Sequence, residues 1–175
     1  GGDESENYDE VRYEGYGPGG TAIIIEALTD NRNRTASDVR TAFAKNGGNL
    51  AETGAVSFMF DRMGSIHYPP EVGSAEDVFE IVFEAGAEDV ESNEVGHDIY
   101  CQPDDFHKVS EALSISLGDP EYAQLIWRPQ NTIEVDEKAA GTMMLLLETL
   151  EDNDDVQRIS ANFEISDEIM AKLSI

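Results

Sequence analysis

An α+β fold of two β-α-β-β-α-β units, one inserted into the other, is predicted by three observations. Residues 64–128 alternate short apolar strands with amphipathic helices in that order. The flanking segments, 22–60 and 130–165, give the same order again once the middle is set aside. Glycines and prolines (Gly64, Pro69-Pro70, Gly118, Pro120, Pro129) punctuate the elements instead of interrupting them. At 175 residues the chain is long enough for two cores.

Taken in order, residues 1–12 are acidic and read as an extended linker. A glycine-rich turn follows, with Gly15, Gly17, Gly19 and Gly20 around Pro18 supplying positive φ and close backbone approach. Ala22–Leu28 is a buried strand, because Ile23, Ile24 and Ile25 are β-branched and do not alternate with polar residues. Asp30–Arg34 reads as a polar loop. Thr35 is then the expected N-cap of a helix over 36–46, with Val39, Ala42 and Phe43 on one face and Gly47-Gly48 as its stop. A second strand is expected over 55–60.

In the middle segment, Ser65–Tyr68 is a strand. Ser74 caps a helix over 75–85 whose Val78, Phe79, Val82 and Phe83 are expected to face the core. Strands near 88–92 and 97–102, a helix carrying Phe106, Val109, Leu113 and Leu117, and a strand at 122–128 complete it. Beyond Pro129 come a strand at 130–135 and a helix over 137–151 capped by Asp136, with Ala140, Met143, Met144, Leu147 and Leu150 recurring at helical spacing. An alternating strand at 156–165 and a short helix at 167–173 end the chain. The domain expectation is a linker over 1–12, an outer domain of 13–62 plus 129–175, and an inserted acidic domain over 63–128. Both domains have the ferredoxin-like element order.

Charge narrows the function. The net charge is −26, but its distribution is uneven. Residues 71–125 carry fifteen acids against Lys108 alone, whereas residues 12–67 balance six acids with six bases. A phosphate backbone is repelled by the former and tolerated by the latter. A single cysteine, Cys101, excludes an internal disulfide and fits a reducing compartment. No apolar run reaches the roughly 20 residues of a membrane-spanning helix.

Site chemistry is sparse. GYGPGG precedes a strand, whereas a phosphate loop needs a strand before its glycines and a helix after them, so Gly17, Pro18, Gly19 and Gly20 are read as a structural turn. His97, Cys101 and His107 fall short of the about four ligands of a zinc site, and Glu151–Asp155 lacks the glycine and terminal glutamate of an EF-hand loop. No nucleophile–base set stands in a motif context, so neither an enzyme, a metal nor a cofactor is expected. The remaining candidates are Arg32, Arg34, Arg40 and Lys45, with Tyr13 and Tyr16 near in sequence. Arginine suits phosphate and tyrosine can stack on bases.

The segments YEGYGPGG (13–20), LTDNRNRT (28–35), KNGGNL with ETG (45–54), RPQNTIEV (128–135) and LEDNDDVQ with ANFEI (150–165) resemble the YebC/PmpR family. That family includes the mitochondrial translational activator of cytochrome c oxidase subunit I. The resemblance implies two nested ferredoxin-like domains and a basic, mainly helical N-terminal domain upstream. It also implies a cytoplasmic, non-enzymatic regulator of gene expression. Family members are described as DNA-binding transcriptional regulators or as translation factors acting with the ribosome. The expected partners are therefore nucleic acid (ribosomal RNA or DNA) and ribosomal or regulatory proteins. The acidic composition favours the ribosome-linked role, with an acidic protein-interaction module as the rival reading.

Overall fold

The computed structural model describes residues 7–174 and divides into two compact units, Gly1–Asp61 with Pro129–Ile175, and Arg62–Arg128. The fold is α+β. Each unit is a four-stranded antiparallel sheet with helices between its strands, the ferredoxin-like pattern.

In the first unit β1 (Asp9–Gly17) and β2 (Thr21–Thr29) form a hairpin in register from Asp9↔Thr29 to Gly17↔Thr21. A 3-10 turn, Pro18–Gly20, joins them, with Gly19 and Gly20 at φ 77° and 74°. Residues 9–17 thus form a strand, where linker and turn were expected. The second half of β1 carries glycine at alternate positions because a helix lies against it. A Cβ on Gly15 would stand 2.9 Å from the Phe43 ring and 2.7 Å from the Asn49 carbonyl. α1 (Arg32–Lys45) and the short strand β3 (Asn49–Ala51) follow.

After the second unit come β8 (Ile133–Glu134), α4 (Glu137–Glu151), β9 (Val156–Ala161), β10 (Phe163–Glu164) and α5 (Asp167–Leu173). The sheet order is β3-β1-β2-β9. In ferredoxin-like terms β2, β3 and β9 are the first, second and fourth strands, and β1, which precedes them all, occupies the third strand's place. That place was expected to go to residues 130–135. Only Ile133–Glu134 are extended there, pairing in parallel with β10 in a separate two-stranded sheet.

The strand expected over 156–165 is split at Asn162. Its side-chain oxygen accepts the Ala22 N–H (2.7 Å) and its carbonyl accepts the Ile133 N–H (2.7 Å), so this residue leaves the ladder to join β2 and β8. The core of this unit is Ile23, Ile25, Val39, Ala42, Phe43, Met143, Leu146 and Leu150. Leu146 takes the inward position expected of Met144, which is 40% exposed.

The strand expected over 55–60 is absent up to Phe60, where β4 begins, and Glu14 is the reason. Its side chain is fully buried on the sheet face opposite the helices. Oε1 accepts the N–H groups of Val56 (3.0 Å) and Ser57 (2.7 Å); Oε2 accepts those of Gly54 (2.6 Å) and Arg12 Nε (3.2 Å). Three donors that a strand would spend on a ladder converge on one carboxylate, and the chain bends through a 3-10 turn at Ser57–Met59. Burial acts to raise the Glu14 pKa, but these four hydrogen bonds outweigh it and hold the carboxyl below the ordinary glutamate value.

The second unit follows the expected order. β4 (Phe60–Tyr68), α2 (Ala75–Glu84), β5 (Asp89–Asn93), β6 (Gly96–Cys101), α3 (Phe106–Leu117) and β7 (Tyr122–Pro129) form a sheet ordered β5-β6-β4-β7. Ser74 caps α2 by accepting the Asp77 N–H at 3.2 Å. The core holds Ile66, Tyr68, Val78, Val82, Ile99, Cys101, Val109 and Leu113. Phe79 and Phe83 do not join it: they are 56% and 39% exposed. On α2 the residues three and four apart at 78, 82 and 85 already fill the inward face, which leaves 79 and 83 turned to its flank.

Candidate functional site

The segment expected to be a polar loop before Thr35 is the first turn of α1. Asn31 is its N-cap, its side-chain oxygen accepting the Arg34 N–H at 3.1 Å. Thr35 lies one turn inside, fully buried, and its hydroxyl donates to Asp155 Oδ2 at 2.8 Å. Arg34 Nη2 donates to Asp30 Oδ1 and Asp155 Oδ2, both at 3.0 Å. Thr29 Oγ1 accepts the Asn31 N–H (2.9 Å) and stands 2.7 Å from the Thr35 hydroxyl. Arg34 is thereby fixed as a tie between the start of α1 and the turn before β9. The hydrogen bonds to Asp155 and Asp30 raise its pKa.

The other basic candidates are disposed differently. Arg32 is exposed and pairs with Asp9 at 3.2 Å. Arg40 and Lys45 are exposed, and among the described residues they form no ion pair. With about 100° per residue they flank an outward stripe of Asn33, Ser37, Thr41 and Ala44 on α1. Lys45 also lines a cleft of about 230 Å³ with Asp38, Thr41, Thr149, Leu150 and Asn153.

The two tyrosines do not join this face. Tyr13 is half-buried and packs against the core. Tyr16, 40% exposed, alternates with it and so points from the opposite side of β1, the side of Glu14. The structure therefore gathers Arg32, Arg40 and Lys45 along one helix, ties Arg34 down beside them and leaves Tyr13 and Tyr16 elsewhere.

A family model described as Transcrip_reg, the second and third domain of TACO1/YebC, matches residues 8–163. The chain belongs to the TACO1/YebC family. A solved structure of a conserved hypothetical protein from Aquifex aeolicus is 46% identical and superposes with a TM-score of 0.87. The match covers 94% of this chain and 68% of that one. TACO1/YebC proteins are regulators of transcription or translation.

In this TACO1/YebC chain His97 and the cysteine are held by the fold. His97 accepts from the Ser92 hydroxyl at Nδ1 (2.6 Å) and donates from Nε2 to the Gly73 carbonyl (2.9 Å). Cys101 is fully buried, and burial pushes its thiol up to about 11. His107 is fully exposed at the start of α3. Among the described residues no three His, Cys, Asp or Glu are placed to hold a metal ion. No helix among them is long and apolar enough to cross a membrane.

Asp155 is the residue that sequence reading missed. It stands 121 positions from Arg34, inside an acidic run with no distinguishing spacing. Partial burial acts to raise its pKa, but hydrogen bonds from Thr35 and Arg34 prevail and lower it. A lowered folded-state pKa means stability present above the unfolded value and lost as pH falls through the folded one. Asp155→Asn is expected to cost about 2 kcal/mol at neutral pH and to flatten the acid side of the stability curve, measured by urea denaturation across pH.

Proposed function

We propose that this chain is part of a non-enzymatic regulator of gene expression that works in the cytoplasm by associating with nucleic acid, in a ribosome- or RNA-linked translational role ahead of sequence-specific DNA binding. Family membership supports the regulatory class. The observation carrying the preference is the outward face of α1, where Arg40 and Lys45 flank small polar and apolar side chains, with Arg32 exposed at the start of the same helix. Such a face offers phosphate contacts without the clustered side chains that read base edges in a groove. The body around it is strongly acidic, unlike the basic footprint of a DNA-binding domain. The larger share of the contact is assigned to a basic domain upstream of the matched residues.

The test pairs ribosome cosedimentation with a salt-titrated DNA mobility shift. The full-length protein is expected to sediment with ribosomes. Arg32→Ala/Arg40→Ala/Lys45→Ala is expected to weaken that association about ten-fold at 0.1 M salt and to lower the slope of log K against log salt by about 2. Sequence-selective DNA binding without ribosome association overturns the translational reading. Unchanged binding by the triple variant removes α1 from the interface.

A further inference from the structure

From α2 the geometry points to a second interaction surface in Arg62–Arg128, one that docks a cationic, amphipathic protein segment. Phe79 and Phe83 stand one turn apart, 56% and 39% exposed, their ring centroids 4.7 Å apart and tilted by 53°. Glu76, Glu80 and Glu84 are exposed at i, i+4 and i+8 along the edge of the pair, Glu80 and Glu84 each following a phenylalanine by one position and Glu76 preceding Phe79 by three. The helix thus shows an apolar pair edged by a ladder of carboxylates.

Like charges four residues apart destabilise a helix, and the core beneath is complete with Val78 and Val82 fully buried. Exposed aromatic pairs rimmed by polar residues mark protein contacts, and aromatic side chains carry much of the energy in such contacts.

Charge selects the occupant. Fifteen acids and one lysine lie in residues 71–125, so nucleic acid and anionic lipid are repelled. A polyamine would answer the ladder but not the phenylalanines. A protein segment with lysine or arginine along one side and leucine-like side chains beside them answers both. The contact involves one helix face and is accordingly transient. This surface belongs to the second unit and does not depend on the nucleic-acid reading.

The experiment is fluorescence anisotropy of a labelled amphipathic leucine–lysine peptide titrated with the whole chain. The peptide is expected to bind, and Phe79→Ser/Phe83→Ser to weaken binding about ten-fold. Glu76→Gln/Glu80→Gln/Glu84→Gln should weaken it and reduce its salt dependence. The control variant Glu137→Gln/Glu148→Gln/Glu151→Gln, with the same change of net charge on α4, should bind as the parent does. Circular dichroism checks each variant; if the double phenylalanine variant misfolds, Phe79→Ser alone carries the test. Equal loss in the α4 control, or equal binding of a serine–lysine peptide, overturns the proposal in favour of net charge alone. A dimer in sedimentation that Phe79→Ser converts to monomer overturns it in favour of a second copy of this chain.

Discussion

Glu14→Gln is expected to destabilise the first unit by about 3 kcal/mol, and Glu14→Ala by somewhat more. The carboxylate is fully buried and accepts four hydrogen bonds, three of them from the backbone of residues 54–57. Glutamine keeps the shape but turns one acceptor oxygen into an NH2 group facing N–H donors, so at least two contacts become repulsive. Alanine leaves the donors of Gly54, Val56 and Ser57 without a partner in a segment folded around them. Because the folded-state pKa lies below the ordinary value, the stabilisation is complete above that value and disappears as pH falls through the lowered one. Urea denaturation should show the wild-type midpoint falling on acidification, and a smaller fall in Glu14→Gln. Equal midpoints for the two proteins at neutral pH would remove Glu14 from this role.

Gly15→Ala, the neighbouring position, is expected to cost about 2–3 kcal/mol for an unrelated reason. The added methyl would lie 2.7 Å from the Asn49 carbonyl oxygen and 2.9 Å from two atoms of the Phe43 ring. Asn49 belongs to β3, whose register with β1 runs through Gly15↔Leu50, so backbone cannot retreat without opening that ladder. The ring cannot retreat either, because Phe43 is fully buried against Ile23, Ile25 and Met143. The matching measurement is thermal unfolding followed by circular dichroism. Combining the change with Phe43→Leu, which frees space on the ring side, should recover part of the loss, since residues in contact are not additive.

Both positions lie on β1, the strand that could not be read from the sequence. Its alternation is concealed: toward the helices it carries Tyr13, Gly15 and Gly17, and toward the other face Arg12, Glu14 and Tyr16. Glycine inward and an acid buried outward invert the usual pattern, so a strand resembles a turn. The elements that were legible obey simpler chemistry. Ser74 and Asp136 cap their helices as expected, and Val39, Ala42 and Phe43 form the buried face of α1. The second unit follows the expected order because each of its strands ends at a glycine, a proline or a polar turn.

At the candidate site the identity of the basic residues was legible and their partners were not. Arg34 and Arg40 look alike in DNRNRTASDVR, yet one is tied to Asp30 and Asp155 while the other is exposed. Asp155 is brought in by the pairing of β2 with β9, where Leu28 N–H donates to the Asp155 carbonyl at 2.8 Å. Thr35 looked like a cap because hydroxyls favour that position. Its hydroxyl is used instead to hold Asp155, and Asn31 caps the helix one turn earlier.

The two points where the chain leaves and re-enters the first unit lie side by side. Gln130 N–H donates to the Met59 carbonyl at 3.0 Å, and its side-chain amide donates to Asp61 at 3.1 Å. Between them runs the whole of Arg62–Arg128. As a flexible loop, a segment of about that length would cost the first unit about 3 kcal/mol more closure entropy than a two-residue turn. Folded, with its entry and exit already adjacent, it imposes almost none of that penalty. The order gained within residues 62–128 is therefore handed to β9, which must return to pair with β2 across the gap from Ala27 to Val156, and to α4 beneath it.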